Sequence, residues 1–256
     1  MNPEVVSSYD TEFVALSFAI AFVGSFVALT AARRIVGRDG RINRFDLVSA
    51  TLALGGIGVW TMHFIGMTAL RVDLRVGYAL VETLVSLVLV CAATAFALTY
   101  VARSPANLGR LLTAGVILGA GVGVMHYLGM YGMRFGGYID WSVPLVAGSI
   151  LIAVLAATAA LWLAFNTRAL AIRLIAAVVM AIAVCAMHYT GMAAADFVCT
   201  TADRMALPGG FGVITSTDLP GMVTVMAIGI ALILAIDLAA QHWLSTHPKP
   251  QSARRR

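Results

Sequence analysis

Three histidines stand in three copies of one short pattern, among residue types that hold soft metal ions. The copies are Met62-His63-Phe64-Ile65-Gly66-Met67, Met125-His126-Tyr127-Leu128-Gly129-Met130 and Met187-His188-Tyr189-Thr190-Gly191-Met192. Residues four apart on a helix share a face, which pairs His63 with Met67, His126 with Met130 and His188 with Met192. Gly66, Gly129 and Gly191 leave space beside the imidazoles. The leading methionines, Met62, Met125 and Met187, are turned by about 100° from their histidines; they would complete a neighbour's coordination or pack. Imidazole plus thioether suits Cu(I), and Cu(II) where imidazoles dominate. The set is poor for Mg²⁺, Ca²⁺ or Mn²⁺, which prefer carboxylate and carbonyl oxygens. Non-haem iron usually takes a carboxylate beside two histidines, and zinc more often recruits cysteine or a carboxylate. These nine residues are the candidate ligands, and copper is the expected metal. One copy alone would read as membrane-helix packing. Three matched copies, each with a polar residue that packing does not require, read as a site.

Two further residues are candidates for contacts behind the ligands. Cys185 lies one turn before His188, and Glu82 lies near the depth of the histidines. Their counterparts in the other copies are Trp60 and Gly123, and Ala19 and Pro144, so neither follows the threefold pattern. Packing for Cys185 and an interfacial carboxylate for Glu82 are equally good readings. Three cysteines (Cys91, Cys185, Cys199) do not make a disulfide framework; Cys199 falls in a loop.

The elements that must position this chemistry are membrane helices. The chain has 256 residues, 61% hydrophobic and 11% charged, where a soluble domain carries about 25% charged residues. Apolar runs of about 20 residues match the thickness of a bilayer core. Seven such runs are present: 13–32, 47–67, 77–101, 111–130, 143–165, 169–192 and 221–243. They are too long and too uniformly apolar for barrel strands. The histidines recur from 63 to 126 to 188, so each repeat is a helical hairpin with the motif at the end of its second helix. The expected fold is an all-α membrane protein of seven transmembrane helices, three parallel two-helix repeats plus a seventh helix. Parallel repeats are related by an axis along the membrane normal, which would bring the three motifs together at one depth. The transmembrane domain spans 10–245, and 246–256 is a short basic tail without an output domain.

Basic residues sort by side. Arg33, Arg34, Arg38, Arg41, Arg44, Arg103, Arg110, Arg168, Arg173, Lys249, Arg254, Arg255 and Arg256 fall on one side, and Arg71, Arg75, Arg134 and Arg204 on the other. The basic side faces the cytoplasm; the N-terminus is expected outside and the C-terminus inside a bacterial cytoplasmic membrane. Tyr9, Tyr78, Tyr138 and Trp141 fall at the outer boundary, and Trp162 and Trp243 toward the inner one. The net charge of +5 thus reports orientation rather than nucleic-acid binding. Asp237, toward the inner end of the last run, reads as an interfacial partner of the basic side. Nothing basic precedes the first run, so no secretory signal peptide is expected.

At the three motifs the chain resembles the MHYT-domain family of bacterial membrane sensors. Met187-His188-Tyr189-Thr190 matches the name letter for letter, while Met125-His126-Tyr127-Leu128 and Met62-His63-Phe64-Ile65 are looser copies. The resemblance covers about residues 10–245. It implies seven spans, copper held by these histidines and methionines, and response to a diatomic gas such as O₂, CO or NO. Family members often continue into a cytoplasmic signalling domain; here 245–256 follow the last run. The expectation is a sensory module that is not itself an enzyme and acts through a cytoplasmic or membrane signalling partner, surrounded by membrane lipid. Redox chemistry at the metal stays open. Copper transport or metallation, and haem binding, are the alternatives. Transport would call for ligands at several depths, and haem would leave one of three histidines without a role.

Overall fold

The computed structural model describes residues 5–37, 39–167, 169–206, 209, 210 and 212–246. Arg38, Arg168, Lys249, Arg254, Arg255, Arg256 and the tail from 247 lie outside the described residues. Among the described residues, seven helices are long and apolar enough to cross a membrane: α1 (Thr11–Ala32), α2 (Arg44–Ala69), α3 (Leu80–Ala102), α4 (Leu108–Tyr131), α5 (Val143–Asn166), α6 (Leu170–Ala193) and α7 (Leu219–Thr246). Asp10, Asn43 and Asn107 start α1, α2 and α4 by accepting a backbone N–H from Glu12, Phe45 and Arg110, the ordinary N-cap arrangement.

Helices α1 to α6 pack in a closed ring, each against its chain neighbours and α6 against α1. The motif helices α2, α4 and α6 bury more of their apolar length than α1, α3 and α5, at 83, 50 and 39% against 33, 33 and 28%. They therefore line the centre. Helix α7 packs outside the ring on α2, where the glycines of α2 admit it: a Cβ on Gly56 would come within 2.8 Å of Ile230. That cover explains why α2 is the most buried span. Its middle, Leu52–Thr61, is π-helical between two α-helical ends, a local rewinding often found at functional sites.

The end of the ring that carries the motifs is closed by short strands: β1 (Ser7–Tyr9), β2 (Leu70–Val72), β3 (Gly77–Ala79), β4 (Met133–Arg134), β5 (Gly137–Trp141), β6 (Ala195–Cys199) and β7 (Val213–Thr215). Antiparallel pairs join β1 to β2, β3 to β4 and β5 to β6. Each hairpin therefore has the form strand-helix-helix-strand, with its two strands tied together, three times over. Strand β7 adds to β3 just before α7. Two details depart from the sequence reading. Gly77–Ala79 is strand rather than the start of α3, because its backbone pairs with β4 on one side and β7 on the other. Cys199 ends β6 and is buried rather than lying in an open loop.

Candidate functional site

The structure brings His63, His126 and His188 together. The ring centroids are 4.8, 5.1 and 5.2 Å apart with interplanar angles of 71, 87 and 84°, a three-bladed arrangement. Nδ1 of His63 lies 3.1 Å from Nδ1 of His126 and 3.1 Å from Nδ1 of His188. All three rings are buried. Among the described residues they form the one group of three or more His, Cys, Asp or Glu side chains close enough to share an ion. Two nitrogens bonded to one ion at about 2.0 Å, at a tetrahedral angle, stand about 3.3 Å apart. The spacing of the Nδ1 atoms is close to that value, so the donor set and its geometry fit a borderline or soft metal ion.

Each ring is held partly from its own helix and partly from a neighbouring one. The residue after each histidine turns its aromatic edge onto the imidazole: Phe64 on His63, Tyr127 on His126 and Tyr189 on His188, at 4.7 to 4.9 Å. The outer nitrogen, Nε2, rests on the glycine of another repeat. A Cβ on Gly129 would collide with Nε2 of His63, one on Gly191 with that of His126, and one on Gly66 with that of His188. The contacts run cyclically through α2, α4 and α6. Each Nε2 is buried with no hydrogen-bond partner among the described residues.

A ring of serines, which sequence reasoning missed, backs the aromatic residues. Ser17, Ser86 and Ser149 are fully buried on α1, α3 and α5. Each donates to the carbonyl three residues earlier: Val14, Thr83 and Val146. With the one hydroxyl proton spent, the oxygen accepts from outside. The Tyr189 hydroxyl reaches Ser17 at 2.9 Å and that of Tyr127 reaches Ser149 at 2.5 Å. Phe64 has no hydroxyl, and the indole N–H of Trp60, one turn earlier, donates to Ser86 at 3.1 Å instead. Their spacing, 17 to 86 to 149, does not follow the period of the histidines, and only the observed helix starts at Thr11, Leu80 and Val143 reveal that each serine is the seventh residue of a helix that carries no motif.

The other predicted residues divide. Met67, Met130 and Met192 are buried in the main core, as is Met125. Met62 packs in a separate cluster with Ala21 and Ala181, and Cys185 packs against that cluster rather than joining the imidazoles. Met187 lines an apolar cavity of about 40 Å³ with Leu54, Val59 and Met180. Glu82 forms an ion pair with Arg134, so its carboxylate is engaged at the rim and not by an imidazole. Asp237 accepts from Ser49 at 2.5 Å and from Gln241 at 2.8 Å, toward the basic end.

Residues 56–114 and 119–177 each match the MHYT model, described as a bacterial signalling protein N-terminal repeat. Both matches hold a motif, the first and the second; the third copy lies beyond them. The chain is 37% identical over 241 residues to the bifunctional diguanylate cyclase/cyclic di-GMP phosphodiesterase MucR of Pseudomonas aeruginosa, covering 91% of this chain and 34% of that protein. It is 30% identical over 201 residues to the signaling protein YkoW of Bacillus subtilis, covering 76% of this chain and 25% of that one. To the cyclic di-GMP phosphodiesterase NbdA of Pseudomonas aeruginosa it is 32% identical over 193 residues, covering 73% and 24%. The chain thus spans about a quarter to a third of the relatives it matches. No solved structure matches it.

Proposed function

The chain belongs to the MHYT family of bacterial membrane signalling proteins, and on that footing we propose that it is a sensory membrane module that holds copper at His63, His126 and His188. The observation that carries the reading is the meeting of three buried imidazoles, with Nδ1 of His63 3.1 Å from Nδ1 of both His126 and His188. Bound there, copper would supply a redox-active centre able to take a diatomic ligand such as O₂, CO or NO. The chain's own part is to hold the imidazoles in register through the cyclic glycine contacts and the serine ring, and to keep bulk water away. Four buried methionines in the surrounding core, Met67, Met125, Met130 and Met192, add thioethers that favour the reduced ion. The haem alternative fits less well, because three rings within 5.2 Å of one another leave no slot for a flat macrocycle.

A change at the centre would pass along α2, α4 and α6 to the opposite end of the ring. The π-helical stretch of α2 is the element best suited to shift, since its rewinding is confined to Leu52–Thr61 and such stretches are frequent at functional sites. At the basic end Arg34 pairs with Asp46 at 2.8 Å, and the surrounding basic segment offers a surface to a signalling partner. The output proposed is regulation of cyclic di-GMP turnover, the activity named for MucR and NbdA, in whichever polypeptide carries it. The proposed orientation puts the N-terminus outside and the C-terminus in the cytoplasm, following the basic residues.

The test is metal analysis and an optical spectrum of the purified chain, beside a triple His63, His126 and His188→Ala variant. The wild type should carry or take up copper under reducing conditions. The variant should stay in the membrane, lose the copper and lose any spectral response to CO or NO. A wild type that takes up no copper refutes the reading, and reporter fusions placing the C-terminus outside refute the orientation.

A further inference from the structure

Toward the basic end of the ring a cavity of about 330 Å³ lies between α1, α2 and α7. No histidine lines it, and its lining joins an apolar wall to a small charged end. Val23, Phe26 and Leu234 belong to the wall, and Val23, 50% exposed, marks the side open to hydrocarbon. From Ala31 back to Val23 the wall rises along α1 by about 12 Å, at about 1.5 Å per residue. That is most of one leaflet of a core about 30 Å thick. Arg34, Ser49 and Asp237 line the charged end. Arg34 spends its Nε on Asp46 at 2.8 Å, and its two terminal nitrogens have no hydrogen-bond partner among the described residues. Asp46 is satisfied, since Asn43 donates to its other oxygen at 2.6 Å. Buried Arg173 donates to Thr30, also in the lining, at 3.0 Å, which sets a second positive charge beside the cavity. Oδ2 of Asp237 takes Ser49 and Gln241, whereas its Oδ1 is buried with no partner among the described residues. The cavity thus presents an unspent guanidinium edge and an unspent carboxylate oxygen.

We propose that this cavity holds one phospholipid of the phosphatidylethanolamine class, with its phosphate on Arg34, its ammonium on Asp237 and an acyl chain along the apolar wall. A buried carboxylate oxygen without a donor is costly, and a charged donor is the strongest partner it can take. Guanidinium is the matching group for phosphate. A zwitterionic headgroup answers both charges at once. A phosphate with a glycerol headgroup would bring its negative charge to the same end as Asp237 and offer that carboxylate only neutral hydroxyls. A choline headgroup has no N–H to donate. The polar pair is also peculiar to the first hairpin. Ser49 stands fourteen residues before His63, and the residues at that distance from His126 and His188 are Leu112 and Leu174, both exposed on the outer surface. The threefold bundle therefore has no need of a polar residue at this position. Ser49 goes with α7, which packs on α2 outside the ring.

The experiment titrates the purified, delipidated chain in detergent with single lipids and counts bound lipid by native mass spectrometry. The wild type should bind one phosphatidylethanolamine per chain about tenfold more tightly than phosphatidylglycerol or phosphatidylcholine, the difference between a charged hydrogen bond and a neutral or missing one. Asp237→Asn keeps an acceptor for Ser49 but loses the charge, and should bring phosphatidylethanolamine down to the level of phosphatidylglycerol. Ala231→Phe, which fills the cavity from an exposed position on α7, should lose the bound lipid at an unchanged yield of folded protein. Equal binding of the three lipids to the wild type overturns the proposal and leaves only the lipid that surrounds any membrane protein. A preference for phosphatidylglycerol overturns it in favour of an anionic headgroup. Asp237→Asn with the wild-type preference refutes the ammonium contact, and Ala231→Phe with its lipid still bound refutes the cavity.

Discussion

Replacing Gly129 by alanine puts a methyl group onto the edge of an imidazole that has no room to retreat. A Cβ there would collide with Nε2 of His63 and stand 3.1 Å from its Cδ2 and 3.3 Å from Cζ of Phe64. Carbon contacts ordinarily settle at about 3.5–4.0 Å, so the ring must shift by something on the order of 1 Å. It is held by Phe64 at 4.7 Å and by His126 and His188 at 4.8 and 5.1 Å. Overpacking of this kind costs about 1–3 kcal/mol. Alanine recovers about 1 kcal/mol from its better helix propensity. The control is Gly148→Ala in α5, where a Cβ meets nothing within 4 Å and only the gain remains. The two variants should therefore differ by about 1–3 kcal/mol in unfolding free energy, read by denaturant or thermal unfolding in the same detergent. Gly66→Ala and Gly191→Ala should resemble Gly129→Ala, because they press on His188 and His126 in the same way. Copper retention should fall in all three and stay unchanged in Gly148→Ala. Equal stability of Gly129→Ala and Gly148→Ala would refute the packing argument.

Other changes probe the remaining supports. Tyr127→Phe and Tyr189→Phe each remove a hydroxyl from a buried serine and should cost about 0.5–1.5 kcal/mol in the same unfolding measurement. Gly119→Ala should be worse than any glycine change at the site and impair assembly of the α4–α5 pair, assayed by yield of folded protein, because its Cβ would stand 2.7 Å from the Val154 backbone nitrogen and 2.9 Å from the Ala153 carbonyl carbon; a backbone cannot turn aside as a ring can. At the N-terminus, the Arg71 guanidinium, helped by the Glu12 N–H, holds the Asp10 carboxyl below the usual carboxylate range. A depressed value stabilises the ionised form, so the contribution is full above the ordinary aspartate value of about 3.9 and is lost as pH falls through the lower native one. Hydrogen-exchange protection of the β1–β2 amides, taken relative to the intrinsic rate at each pH, should fall only in that acid window, and Asp10→Asn should abolish the step.

The spans could be read from the sequence because the bilayer demands long apolar runs, and 143–165 or 169–192 have no other explanation. The capping strands could not be, since two to five residues such as Gly77–Ala79 or Met133–Arg134 show no usable alternation; only their partners make them strands. The π-helical middle of α2 was hidden as well. Leu52–Thr61 has the same apolar composition whether it is wound as α or π. What differs is the company: Gly24 of α1 lies against Gly58, and Ile230 of α7 against Gly56, contacts that no local pattern announces. The same contacts place α7, which hydropathy could only add to the end of the list of spans.

The histidine cluster was foreshadowed by repetition, but a linear reading assigned each glycine to its own imidazole. Three residues after a histidine, a helical glycine points partly away from it, toward the neighbouring motif helix. Gly66 therefore receives His188, Gly129 receives His63 and Gly191 receives His126. The hydroxyl contacts cross between helices too: Tyr127 reaches α5 and Tyr189 reaches α1. Each copy supplies an imidazole, a seat for a second copy's imidazole and a polar tip for a serine on the next helix of the ring. No copy is complete by itself, and two copies leave one imidazole without its seat. The third copy, beyond the two segments that match the family repeat, is for that reason indispensable: without Gly191 His126 has no seat, and without His188 the space at Gly66 stands unfilled.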